Sequence, residues 1–163
     1  MATGDTLAVL SPRNADFPNG TATAGQAAGV PTVDFDATTD EYCVFECVMP
    51  SNYSNGGVHV DIYWVPLSDT NIAHLCYFEA ATRSEDTATD IDTWSYSAAQ
   101  SGNSTCPSSV NKVQKTRITF THAQFGSLVA NTPFGLKINR DANHASDDMT
   151  GDARMIRVHL IQQ

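Results

Sequence analysis

From Gly57 to Pro66 the chain reads GVHVDIYWVP, and apolar and polar side chains alternate along it. A period of two puts Val58, Val60, Ile62 and Trp64 on one face of a strand and His59, Asp61 and Tyr63 on the other. The pattern returns in KTRITF (115–120), where Ile118 and Phe120 share a face. In FGLKINR (134–140) it turns Phe134, Leu136 and Ile138 inward and Lys137 and Asn139 outward. In ARMIRVHLIQ (153–162) the spacing predicts Ile156, Val158 and Leu160 inward, with Arg157, His159 and Ile161 outward. Strands that are apolar on one face only belong to antiparallel sheets with one wet side.

Further strands are expected at TLAVL (6–10), PTVDF (31–35), YCVFECVM (42–49), AHLCYFEA (73–80) and TWSYSAAQ (93–100). About eight short strands separated by turn signals predict an all-β fold, an antiparallel β-sandwich of jelly-roll type. One short helix is expected at HAQFGSLVA (122–130), ended where Pro133 cannot continue it. Residues 11–29, SPRNADFPNGTATAGQAAG, lack any period and are rich in Gly, Pro, Ala and Thr. They read as an extended N-terminal loop or arm on a single domain that otherwise spans 1–163.

A chain of 163 residues is long enough to bury roughly 70% of its extended-chain surface in one domain. Its net charge is −9, from 18 acidic against 9 basic residues. A polyanion of this kind repels nucleic-acid backbones and anionic lipid, so neither is expected as a partner. No apolar run approaches the ~20 residues of a membrane span. The start MATGDTLAVL has no basic n-region, so no signal peptide is read and synthesis in a cytoplasm is expected. The cysteines agree with that. Cys43 and Cys47 lie four residues apart on one strand, ~13 Å at 3.3 Å per residue, too far to pair with each other. Cys76 lies in another strand and Cys106 in a loop, and no C-x-x-C spacing occurs, so four free thiols and no zinc site are expected.

NRDANHASDDMTGDA (139–153) crowds four aspartates, two asparagines and a histidine between two strands. Asp141, Asn143 and Asp147 open like a calcium loop. Ala145 and Ser146 then stand where an EF-hand needs a ligand and a glycine, and Asp152 stands where it needs glutamate. A polar connection is the expected reading, with Asp and Asn capping turns and Gly151 supplying a bend. RSEDTATDIDT (83–93) reads the same way. No nucleophile elbow, H-E-x-x-H motif or phosphate-binding loop is present, so no enzyme, catalytic residue, cofactor or metal is expected. Asp34 and Asp36 share a strand face, which suits surface charge better than a glycosidase pair. His59 and His159 lie off the apolar faces with no third ligand. The three sequons at Asn19, Asn52 and Asn103 carry no weight without secretion. Tyr63, Trp94 and Tyr96 on wet faces could stack sugars or anchor an interface.

The order of motifs resembles a group of small β-sandwich virion proteins of tailed bacteriophages. The likeness covers about residues 31–161 and rests on DFDATTDE, MPSNYSNGG and the closing RDANHASDDMTGDA. It implies a head decoration, or cement, protein that binds the major capsid protein outside the shell, commonly as a trimer. On that reading the expected partner contacts are Asn14, Phe17 and Pro18 of the arm, with Tyr63 and Trp94, and the location is the virion exterior. The alternative on the same fold is a carbohydrate-binding, receptor-recognising module of a phage tail or fibre. A glycan-cleaving enzyme is a third and weaker reading.

Overall fold

The protein is described by a computed structural model over residues 3–18, 22–87 and 90–163. Residues 19–21 of the expected arm, with the Asn19 sequon, and Ala88 and Thr89 of the expected acidic loop lie outside the described residues. The described chain forms β1 (Thr6–Leu10), β2 (Ala15–Asp16), β3 (Thr23–Ala27), β4 (Val30–Phe35), β5 (Glu41–Val48), β6 (Val58–Pro66), β7 (Leu75–Ser84), β8 (Gln100–Thr105), β9 (Gln114–Phe120), β10 (Pro133–Arg140) and β11 (Ala153–Gln162). Six strands make one sheet in the order β3-β4-β11-β6-β9, with β1 also paired to β11. The other sheet has five, in the order β2-β5-β10-β7-β8. The pairings are antiparallel, and β4 to β11 alone give 4-11-6-9 over 5-10-7-8, the strand order of a jelly roll.

The alternating runs fill the space between the sheets. Val58, Val60, Ile62 and Trp64 of β6 are fully buried, as are Leu136 and Ile138 of β10 and Ile118 and Phe120 of β9. Aromatic rings pack edge to face or tilted at both ends of this core, arrangements the ring quadrupole favours over a flat sandwich. Phe78 meets Phe35 at 5.8 Å and Trp64 at 6.0 Å between centroids, and Phe125 meets Phe120 at 5.2 Å and Phe134 at 5.8 Å. The Trp64 Nε1–H donates to Thr116 Oγ1 at 3.0 Å, and that hydroxyl lies 2.6 Å from Ser104 Oγ. One chain of polar atoms, buried at Trp64 and Thr116 and half-buried at Ser104, therefore joins β6 and β9 of one sheet to β8 of the other. Cys43, Cys76 and Cys106 are buried, Cys47 is half-buried, and all four are unpaired.

Four local expectations are corrected. In β11 the pairing with β6 shifts register between Met155 and Arg157. This bulge buries Met155 and leaves Ile156 only half-buried, because an extra residue flips the faces that follow it. Residues 122–130 form turns, not a helix. Gly126, Ser127 and Asn131 have φ of 79°, 53° and 65°, and a left-handed backbone interrupts any helical run; Phe125 and Leu128 are pressed into the core from these turns. The strand expected at 93–100 begins only at Gln100, after a 3-10 turn at Ile91–Thr93, and runs to Thr105 through QSGNST. Its partner strand β7 supplies the ladder that its sequence does not advertise.

The fourth correction concerns the arm. Pro12–Asn14 is a 3-10 turn, with Ser11 Oγ accepting from the Arg13 N–H at 3.3 Å. β2 pairs with β5, and β3 pairs with β4 from Thr23↔Asp34 to Ala27↔Val30. Ala28 and Gly29 connect β3 to β4 at φ 49° and 81°, the two positive values that a two-residue hairpin turn requires. The described part of 11–29 thus adds strands to both sheets rather than hanging free.

Trp64→Ala is expected to lower unfolding stability by about 3–5 kcal/mol, the usual range for a buried tryptophan. Urea denaturation checks this, and a midpoint equal to that of the parent protein would contradict the packing described.

Candidate functional site

The acidic connection between β10 and β11 surrounds one cation. Arg140, the last residue of β10, points inward and its side chain is 0% exposed. Its Nε and Nη2 donate to the two carboxylate oxygens of Asp147, both at 3.0 Å. Nη1 donates to the carbonyls of Gly151 (2.9 Å) and Asp36 (3.2 Å), and Nη2 also to that of Met149 (3.0 Å). Three carboxylates of this connection also hold the backbone of other segments. Asp147 accepts from the Tyr77 N–H, Asp148 from that of Leu75 and Asp152 from that of Ala37. A guanidinium holds the loop where the sequence left a choice between a metal ion and a polar turn.

The outer face of the five-stranded sheet has a different character. β10 lies between β5 and β7, and the register sets its outward residues in rows. Gly135 stands opposite Glu46 and Arg83, Lys137 opposite Val44 and Ala81, and Asn139 opposite Tyr42 and Glu79. At Gly135 a Cβ atom would come within 2.8 Å of Arg83 Nε and 3.0 Å of Glu85 Oε1. The absent side chain lets Arg83 lie across β10 and reach Glu46 Oε1 at 2.7 Å through Nη2. Its Nε donates to Glu85 Oε1 at 2.8 Å and its Nη1 to the Tyr96 hydroxyl at 3.0 Å. The guanidinium carbon lies 4.8 Å from the Trp94 ring centroid and 5.3 Å from that of Tyr96. Lys137 Nζ, in the next row, lies 4.4 Å from the Tyr42 ring and 5.9 Å from that of Tyr96.

Asn139 Nδ2 donates to Glu79 Oε2 at 3.2 Å. Beyond it Tyr77 stacks on His144, 3.7 Å apart and 7° from parallel. Between the rows is a shallow depression with a floor of Ala81 and Ala99 and walls of Lys137, Asn139 and Glu79. Trp94 Nε1 is one of two buried side-chain polar atoms without a hydrogen-bond partner among the described residues, the other being Thr32 Oγ1.

The electrostatics of this face centre on Glu46. Burial, followed by the hydrogen bond and the charge of Glu85, pushes its carboxyl up to about 7, and the opposing Arg83 does not cancel them. Burial is also the main reason the Tyr96 hydroxyl is shifted upward. Across the sandwich, the outer face of the six-stranded sheet holds Asp61 beneath Arg117 (2.6 and 2.7 Å) and Lys115 (3.3 Å). Tyr63 lies there, half-buried beside Val30, Val113, Ile156 and Arg157.

The residues singled out from sequence are therefore not one surface. Trp94 and Tyr96 lie together over the five-stranded sheet, and Tyr63 lies on the opposite face. Asn14 is exposed in the 3-10 turn, Phe17 packs against the core, and Pro18 is half-buried. Tyr42, Glu46, Arg83 and Lys137 were not legible as site residues. Their only sequence signal is an outward position in an alternating strand, and strand register is what brings them together.

No protein-family model matches the sequence, and no curated protein matches it significantly. Solved structures do. The CBM22-1 xylan-binding domain of Paenibacillus barcinonensis Xyn10C aligns over 99% of this chain and 97% of its own, with TM-score 0.50 and 12% identity. The CBM22-2 xylan-binding domain of the same protein aligns over 92% of both chains, with TM-score 0.52 and 11% identity. The K1 cleaved adhesin domain of Lys-gingipain from Porphyromonas gingivalis W83 aligns over 98% of this chain and 99% of its own, with TM-score 0.50 and 16% identity. The chain shares their fold. At such identities the likeness extends to the β-sandwich and no further.

The raised Glu46 carboxyl gives a pH test. The unfolded chain loses this proton near the ordinary 4.5 and the folded chain near 7. The folded state therefore binds more protons in between, and stability falls as pH rises through that window. Glu46→Gln is expected to flatten this part of the stability–pH curve, measured by chemical denaturation from pH 4.5 to 7.5. An unchanged slope would contradict the assignment.

Proposed function

We propose that this protein is a carbohydrate-binding module whose ligand is a glycan chain laid over the outer face of the five-stranded sheet. The observation that carries the reading is the grouping of Tyr42, Trp94 and Tyr96 with Arg83, Lys137, Asn139 and Glu79 on one outer sheet face. A pyranose ring offers apolar C–H faces and a rim of hydroxyls. Aromatic side chains suit the first and fixed polar groups the second. The depression beside Ala81 and Ala99 is a small concavity in the face, next to Lys137 and Asn139. The xylan-binding domains that share the fold support the reading without supplying its residues.

The reading is one of recognition, not bond cleavage. The cement-protein role, with its major capsid protein partner, trimer and virion location, is the alternative proposal. Neither the neighbours named above nor the site geometry adds support to it, or to placement on a phage tail or fibre.

Affinity electrophoresis in gels containing a panel of plant and bacterial polysaccharides tests the proposal. At least one polysaccharide should retard the protein. Trp94→Ala and Tyr96→Ala should each weaken that binding about five- to thirtyfold, equivalent to about 1–2 kcal/mol, with melting otherwise cooperative. Tyr63→Ala on the opposite face should leave it unchanged. Retardation by none of the panel, or equal retardation of the Trp94 variant, would contradict it.

A further inference from the structure

We infer that the ligand of this face is an acidic glycan, in which the carboxylate of a uronic-acid unit sits on Lys137. The inference rests on the glycan-binding reading and adds the chemical class of the sugar.

The argument is an inventory of donors and acceptors. On this face each carboxylate already accepts from a neighbouring side chain through one of its oxygens. Glu46 and Glu85 both accept from Arg83, the Tyr96 hydroxyl accepts from Arg83, and Glu79 accepts from Asn139. Lys137 differs. Among the described residues no carboxylate lies within ion-pair distance of its Nζ, and its recorded neighbours are the rings of Tyr42 and Tyr96. An ammonium brings three donors and no acceptor. The Trp94 Nε1–H, a buried donor without a partner among the described residues, is closed to solvent and so is not offered to a ligand.

A neutral hydroxyl can accept from Lys137, but it brings a proton of its own and leaves the charge unmatched. A carboxylate accepts only, and it pairs the charge. The two rings displace water from part of the ammonium's surroundings, so an ion pair formed there is stronger than one between fully exposed groups. Lys137 also lies at the middle of the face. Its row runs from Val44 through Ala81, beside the Ala99 floor, so a sugar in the depression reaches it directly.

The net charge of −9 opposes a polyanion at long range. At physiological ionic strength that field is screened beyond about 8 Å, whereas a contact pair is not. Glu46 and Glu85 are held by Arg83, which limits the repulsion they exert on a carboxylate seated one row away.

The test compares binding of the full chain to polygalacturonate and to glucuronoxylan with binding to the carboxyl-reduced form of each. At least one acidic polymer should bind about tenfold more tightly than its reduced form, and added NaCl should narrow the difference. Lys137→Met should abolish the preference and Lys137→Arg should keep it, with both variants melting like the parent. Equal binding to acidic and reduced polymers, or a preference that survives Lys137→Met, would overturn the inference and leave the glycan-binding reading standing. Binding to neither form of either polymer, with a neutral polysaccharide bound through Trp94, would overturn the inference alone. Binding to no polysaccharide would remove the reading on which it rests.

Discussion

A buried guanidinium organises the junction of the two sheets. Arg140 ends the central strand of one sheet and points inward, with no solvent contact, into a ring of oxygens from Asp36, Asp147, Met149 and Gly151. A charge in that position is tolerable only if every donor is met, and removing one partner of such a pair typically costs about 3–5 kcal/mol. The chain that meets it, from Asp141 to Asp152, is also the connection that carries the backbone from β10 across to β11. The same arginine therefore fixes the loop, the entry of β11 between β4 and β6, and the start of β7 that Asp147 and Asp148 hold. β7 and β10, together with β5, are the strands whose outward residues make the candidate site.

On that face the ion pairs work differently. Arg83 and Glu46 are partly exposed, at 20% and 46% of their side-chain surface, and pairs of that kind add only about 0–1 kcal/mol to stability. Their effect is positional. Gly135 leaves a gap in the sheet surface, Arg83 lies in it, and two carboxylates and a tyrosine hydroxyl set the guanidinium over Trp94. The indole belongs to a segment outside the strand ladder, and this stack ties it to the sheet. An aromatic platform on a loop is thus given a fixed orientation by a polar clamp on rigid strands, the arrangement that keeps the entropic cost of binding low.

Much of the framework was legible because its signal is local. The alternation of β6 and β10 names its own buried face, and Trp64, Leu136 and Ile138 lie where the period puts them. The signal failed where pairing, not composition, decides. β3 is TAGQA and β8 is QSGNST; neither has an apolar face, and each is held by the ladder of its neighbour. The bulge at Ile156 adds one residue that the period cannot anticipate. At 122–130 HAQFGSLVA reads as a short helix, while left-handed residues at Gly126 and Ser127 make turns that press Phe125 and Leu128 into the core. The site shows the same division. Trp94 and Tyr96 stand out as aromatics on an expected wet face, whereas Lys137, Arg83 and Glu46 acquire meaning only when register sets three strands side by side. Tyr63 had the same local signal as Trp94 and lies on the other face.

The claim that ligand binds over β5, β10 and β7 is tested most directly by nuclear magnetic resonance. The labelled protein is titrated with a soluble oligosaccharide of whichever polymer it binds, and amide and indole shifts are followed. The account predicts saturable shifts at Lys137, Asn139, Glu79 and Arg83 and at the Trp94 indole, with Tyr63 and Arg157 unmoved. Shifts confined to the Tyr63 face, or scattered without saturation, would contradict it.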